Sequence, residues 1–324
     1  MDTKHVVTHS LNQAIPPKSL LDDYFSLQFG QTPFDILLDS LNDLNNKNRE
    51  NLKNVSEECG SFKESSIVEC VFLICEELKL DPFVGYQAVE ILERFMVKHV
   101  QDMFHGLGCV RGTAENAVFY KLKDKINVLV FTCVQLASKM AQHLCVIDSS
   151  TAVNFLHSMG LSCSKKTLLE FELLILGTLE FCINVPNPLT YVETLLEALN
   201  YNATMLSIPN LYTLCKRVLQ FVYLQRSPIY HSLLVATTGC PSPCQEQRVK
   251  FVSVKEDYML LGVGVIATGA FILNFAIWTE VVEELCHITG ISARSIMDFT
   301  HIILRHIVNN ETPQKSKCAP GASR

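Results

Sequence analysis

The stretch Asp124-Lys-Ile-Asn-Val-Leu-Val-Phe-Thr-Cys-Val-Gln-Leu-Ala-Ser-Lys-Met-Ala-Gln-His143 decides how this chain folds. On a helical wheel it gathers Ile126, Leu129, Val130, Cys133, Ala137 and Met140 on one side. Lys139 falls roughly 120° from the centre of that stripe, at its solvent edge. A second stretch, Lys165-Lys-Thr-Leu-Leu-Glu-Phe-Glu-Leu-Leu-Ile-Leu-Gly-Thr-Leu-Glu-Phe-Cys-Ile183, has the same helical spacing, with Leu168, Phe171, Ile175, Leu179 and Cys182 as its core face. Glu172 lies inside that face, whereas Glu170 and Glu180 lie outside it. A carboxylate among leucines and isoleucines needs a partner, because a buried unpaired charge is costly. An internal salt bridge, or an edge position wet on one side, would satisfy it as well as a polar group of a binding partner would.

Outward from these two segments the pattern stays helical. Apolar residues recur at three- and four-residue spacing over roughly 64–79, 83–99, 120–143, 150–159, 165–184, 188–200, 208–225, 256–276, 279–289 and 293–309, and no strand alternation competes. Gly160 and Gly290 follow periodic runs, where a residue free to take positive φ closes a last turn. Ser164 and Ser292 stand where the next helices need an N-cap. The chain reads as all-α. Residues 1–61 form a polar N-terminal extension, with one docking helix around Phe34 to Leu41 and a solvated linker over 42–54. Residues 311–324 read as a mobile tail.

Composition narrows the function. The 324 residues include 27 Lys+Arg against 33 Asp+Glu, are 48% apolar and 19% charged, and carry a formal charge of −6. A large core is affordable and general disorder is excluded. An acidic balance leaves no footprint for sequence-independent phosphate binding, and Lys121, Lys123 and Lys125 are read as a solvated helix start. The 13 cysteines are scattered, with Cys70, Cys75, Cys133, Cys182, Cys215 and Cys286 among apolar neighbours, which reads as reduced core cysteine inside the cell. No secretory signal opens the chain.

The uncharged segment 259–278 meets the minimal length of a membrane span, about 20 residues. Gly262, Gly264, Gly269, Thr268, Asn274 and acidic flanks favour instead a central helix enclosed on all sides, with glycines permitting close approach. Cys240-Pro-Ser-Pro-Cys244 is a loop pair without the further ligands a zinc site requires. Nucleotide, hydrolase, metalloprotease and kinase motifs are absent from the sequence, so no catalytic residue, metal or cofactor is expected.

Four ordered motifs carry a resemblance to the cyclin family: Ser65 to Leu80, Ala88-Val-Glu-Ile-Leu-Glu-Arg-Phe-Met96, Leu136-Ala-Ser-Lys139, and Glu172-Leu-Leu-Ile-Leu-Gly-Thr-Leu-Glu-Phe with Val-Pro-Asn-Pro at 185–188. The match to the cyclin box covers about 62–188, and a weaker match to the second cyclin fold runs over 189–310. The resemblance implies two tandem five-helix bundles, the second degenerate, behind an N-terminal helical extension. It implies a non-catalytic regulatory subunit in which Lys139 and Glu172 contact a cyclin-dependent kinase.

Over its whole length the chain resembles cyclin-like proteins of meiotic cells that mark and mature crossovers. That implies nuclear work on meiotic chromosomes, with the cytoplasm also open, among crossover-designation proteins, and without direct sequence-specific nucleic-acid contact. Departures are equally clear. Lys63-Glu64-Ser-Ser-Ile67, with Cys70 following, replaces the family's Met-Arg-x-x-Leu and Trp docking patch. The family's buried Arg–Asp pair maps onto Glu64 and Glu93, two like charges, so that one faces solvent or Arg94 supplies the cation. Met140-Ala-Gln142 replaces the usual acids after the lysine. A kinase-independent scaffold recruiting crossover and repair proteins is the alternative. Thr312, before Pro313, fits a proline-directed kinase acceptor, with Thr32, Ser227 and Ser242 as barer versions.

Overall fold

The computed structural model describes residues 29–107, 125–141, 146–202 and 207–311, and every regular element among them is a helix. Helix α1 (Phe34–Lys53) begins after Pro33 and buries Leu37, Leu44 and Asn48. The polar run over 42–54, expected to be a solvated linker, is instead mostly helix. Its inward face is anchored where Asn48 Nδ2 donates to Asp257 Oδ1 at 2.9 Å and Asn48 Oδ1 accepts from the Tyr258 amide at 3.1 Å. A short polar side chain that fully pairs inside the fold costs little to bury, and composition alone cannot show that pairing.

The first bundle comprises α2 (Ser65–Glu77), α3 (Pro82–Leu107), α4 (Ile126–Met140), α5 (Ser149–Ser158) and α6 (Lys165–Thr178). Helix α4 packs on α2, α3 and α6, and every residue over 128–138 is buried. Its expected one-sided stripe is therefore exceeded. Gln135 donates to the Ile147 carbonyl at 3.1 Å, while Thr132 donates to the Val128 carbonyl at 2.7 Å, so polar side chains ride on the enclosed stretch 128–138. Asp148 and Ser164 cap α5 and α6 by accepting from the Thr151 and Thr167 amides at 2.6 and 3.1 Å.

The second half comprises α7 (Pro188–Asn202), α8 (Ile208–Leu224), α9 (Arg226–Thr238), the short α10 (Gln245–Lys250) and α11 (Val252–Lys255), α12 (Tyr258–Leu273), a 3-10 turn at Phe275–Ile277, α13 (Trp278–Thr289) and α14 (Ala293–Glu311). Helix α12 is enclosed by α7, α8, α13 and α14. Gly264 makes that possible, since a Cβ there would stand 2.5 Å from Phe299 Cδ1 on α14. Asp257 caps α12 by accepting from the Leu260 amide, and Asn274, with extended backbone, ends it.

At 16 residues, α12 spans about 24 Å, short of a bilayer core of about 30 Å. The helical segment before it meets it at 72°, and among the described residues no single helix is long and apolar enough to cross a membrane. Helix α9 was not anticipated from the sequence, because Pro228 reads as a break. It falls instead in the first turn of α9, where a missing N–H costs nothing. A single hydrophobic core runs through both halves.

Candidate partner-binding site

Lys139 lies in the last turn of α4 and Glu172 in the middle of α6. The structure brings them together: Lys139 Nζ donates to Glu172 Oε1. The carboxylate is buried, while the lysine side chain keeps 38% of its surface exposed. Among the described residues one of its three ammonium donors is used, so the pair is closed from below and open from above. Glu172 is thus satisfied by an internal salt bridge, the arrangement the wheel alone left open. Glu170 and Glu180 are exposed, as expected.

Around the pair α6 turns apolar side chains to the outside. Leu169 and Leu173, one turn apart, are more than half exposed, Leu174 is exposed beside them, and Phe181 is 71% exposed. Sequence reasoning missed these four residues. The signal was present in Leu-Leu-Glu-Phe-Glu-Leu-Leu-Ile-Leu, which holds more apolar residues than one helix face can bury. Phe181 is presented by unusual backbone: Glu180 and Phe181 take left-handed φ of 52° and 61°, and the Phe181 amide donates to the Leu176 carbonyl at 2.8 Å. Lys98 holds the turn through Glu180 at 2.6 Å. This turn stops α6 at Thr178, whereas the periodicity ran to 184.

A second cluster lies inside. Lys63 Nζ meets Glu90 Oε2 at 3.0 Å, Glu256 Oε2 at 2.9 Å and Tyr258 Oη at 2.7 Å, and Arg226 Nη2 meets Glu256 Oε1 at 2.8 Å. Tyr223 donates to Glu90 Oε1 at 2.9 Å. Burial alone would raise the Glu256 carboxyl, but Lys63 and Arg226 outweigh it and hold the group at about 2. Burial would lower the Lys63 ammonium, and Glu256 with Glu90 outweighs that, so its pKa is raised.

This cluster resolves the expected like-charge pair. Glu64 faces solvent, and Glu93 accepts from the Gly60 and Phe62 amides at 2.6 and 2.9 Å. The buried cations of this cluster are Lys63 and Arg226, whereas Arg94 Nη1 is buried without a hydrogen-bond partner among the described residues. Ile67 and Cys70 are half-buried against the core.

The remaining candidates are placed differently. Cys75, Cys133 and Cys215 are buried, Cys70 and Cys286 are half-buried, and Cys182 is exposed because the left-handed turn swings it off the core face. Cys240 donates to the Ser242 carbonyl at 3.4 Å, and the Cys244 amide donates to Gln247 Oε1 at 2.9 Å. Among the described residues no group of three or more His, Cys, Asp and Glu is placed to hold a metal. Lys125 is exposed, while Lys121, Lys123 and Thr312 lie outside the described residues.

Comparison with known proteins agrees with this architecture. The family model "Cyclin, N-terminal domain" matches residues 38–184. The chain is 40% identical over 321 residues, covering 96% of itself and 95% of the relative, to "Cyclin N-terminal domain-containing protein 1" of Mus musculus. It is 42% identical over 304 residues, covering 90% and 91%, to the protein of the same name from Homo sapiens.

Proposed function

The chain belongs to the cyclin family, and from that premise we propose that it is a non-catalytic regulatory subunit that binds a cyclin-dependent kinase through α4 and α6. One observation carries the proposal: Glu172, paired with Lys139, shares α6 with exposed Leu169 and Leu173, one turn apart, and exposed Phe181 follows the end of that helix, none of them covered by a partner among the described residues. Contiguous apolar side chains around a charged pair mark a protein interaction surface rather than a solvated helix. A kinase helix laid on this face would bury the leucines and take up the free donors of Lys139.

Fixing that helix decides whether the kinase's own catalytic Lys–Glu pair forms. Activation then follows from binding, as a population shift without chemistry on the regulatory subunit. The whole-chain resemblance drawn from the sequence motifs supports work in meiotic crossover maturation, in the nucleus, beside crossover-designation proteins.

The internal closure of Glu172 favours a second reading, a cyclin-fold scaffold that recruits crossover and repair proteins without a kinase, since neither charge demands an external partner. Purification of wild type, Lys139→Glu and Glu172→Lys from meiotic extract separates the two. Active kinase recovered with wild type and lost with both folded variants supports the regulatory subunit. Equal recovery of other partners, with no kinase in any sample, supports the scaffold.

A further inference from the structure

A cleft of about 690 Å3 opens between α1, α3 and the segment 179–186. That volume is typical of ligand sites, which run to about 300–1,000 Å3. Leu179, Glu180 and Cys182 line it, whereas Phe181 does not, so the turn that presents Phe181 outward has the cleft behind it.

Most charges in this cleft are already matched. Lys63 is neutralised by Glu90 and Glu256, Lys98 by Glu180, and Lys47 by Asp43 on α1. Glu93 has both carboxylate oxygens occupied by backbone amides. Arg94 is different: it lines the cleft, forms no hydrogen bond to any described group, and keeps Nη1 buried and unpaired. Nη1 itself is sealed from solvent, but Arg94 is only half-buried and lines the cleft, so the rest of its planar guanidinium can take an incoming oxyanion, which offsets the cost of holding an unpaired cation there. The walls beside it are aliphatic, from Val55, Val97, Val185 and Pro186.

We propose that this cleft binds an acidic peptide segment of a partner protein, with a carboxylate seated on Arg94 and a neighbouring aliphatic side chain against Val97 and Val185. The ligand is a carboxylate rather than a phosphate. Glu50, Glu93 and Glu180 also line the cleft and would repel a second negative charge, whereas a planar single-charge carboxylate matches the guanidinium fork.

The test is fluorescence anisotropy on the full chain with a labelled valine-rich peptide that carries a single central glutamate and blocked ends. A glutamine counterpart and inorganic phosphate as competitor complete the set. The expected result is saturable binding of the acidic peptide, at least tenfold weaker binding of the glutamine peptide, and little competition from phosphate. Arg94→Gln abolishes binding and Arg94→Lys retains part of it. Should Arg94→Gln fail to fold, Val185→Asp, on the cleft wall, is expected to weaken the acidic peptide tenfold or more. The proposal is overturned if neither peptide saturates, if both bind alike, if phosphate competes at equal concentration, or if folded variants bind as wild type does.

Discussion

Lys63 and Glu256, 193 residues apart in sequence, place ammonium and carboxylate 2.9 Å apart with both side chains buried. The contact ties the residue two before α2 to the residue two before α12, so a charge in each half, already paired within that half to Glu90 or Arg226, is also paired across to the other. Removing one partner of a buried pair costs about 3–5 kcal/mol, because the other charge stays desolvated. Lys63→Met is therefore expected to lower the urea midpoint steeply. Combining it with Glu256→Gln should cost less than the sum of the two single changes, the non-additivity of coupled neighbours. Full additivity in the denaturation data would show that the pair is not coupled.

The same carboxylate sets the acid limb of stability. Glu256 is held at about 2 in the fold against an ordinary 4.5, so its contribution is intact above pH 4.5 and lost as pH falls from there towards 2. Glu193 acts in the opposite sense. Burial lifts it to about 7, although the Tyr212 hydroxyl donates to it at 2.6 Å, so the folded state favours the protonated form. Stability from that group is lost as pH rises from 4.5 through 7. Glu193→Gln is expected to raise the thermal midpoint at about pH 8 and leave it nearly unchanged at about pH 4. A uniform shift at both values would contradict this assignment.

Two glycines predict opposite outcomes for one substitution. Gly264→Ala drives a methyl against the Phe299 ring where α12 meets α14, an overpacking cost of about 1–3 kcal/mol. Gly177→Ala, in the last turn of α6 with open space around the position and no positive φ, removes a flexible residue from the helix and is expected to gain up to about 0.5 kcal/mol. Chemical denaturation of the two variants checks both signs.

Leu169→Asp and Leu173→Asp test the exposed face of α6. Neither side chain is in the core, so stability is expected to stay within about 0.5 kcal/mol of wild type. Kinase capture is expected to fall at least tenfold, because each change places a desolvated charge inside a contact. Retained capture with unchanged stability would move the interface elsewhere.

Most of the helical order was legible in the chain because periodicity and caps agree, as at Ser164 and Gly290. What escaped shares one cause, which is partners distant in sequence. The helix over 42–53 depends on Asn48 finding Asp257, 209 residues away. In the first half the buried, paired cation is Lys63 rather than Arg94 because Glu256 arrives from the second half. At the candidate site the spacing brought out Lys139 and Glu172, but their mutual pairing needed the packing of α4 on α6. The exposed leucines escaped because a wheel shows where apolar residues gather and not which of them a neighbour covers. Phe181 was hidden by a left-handed turn formed without glycine, which no periodicity signals.

That turn also sets how the face around it works in time. The main chain of Phe181 is fixed before any partner arrives, so docking the ring costs little further ordering entropy and requires no slow rearrangement. A pre-set anchor of this kind lengthens residence rather than hastening encounter. Truncating it would therefore shorten the lifetime of a complex while leaving the frequency of productive collisions almost untouched.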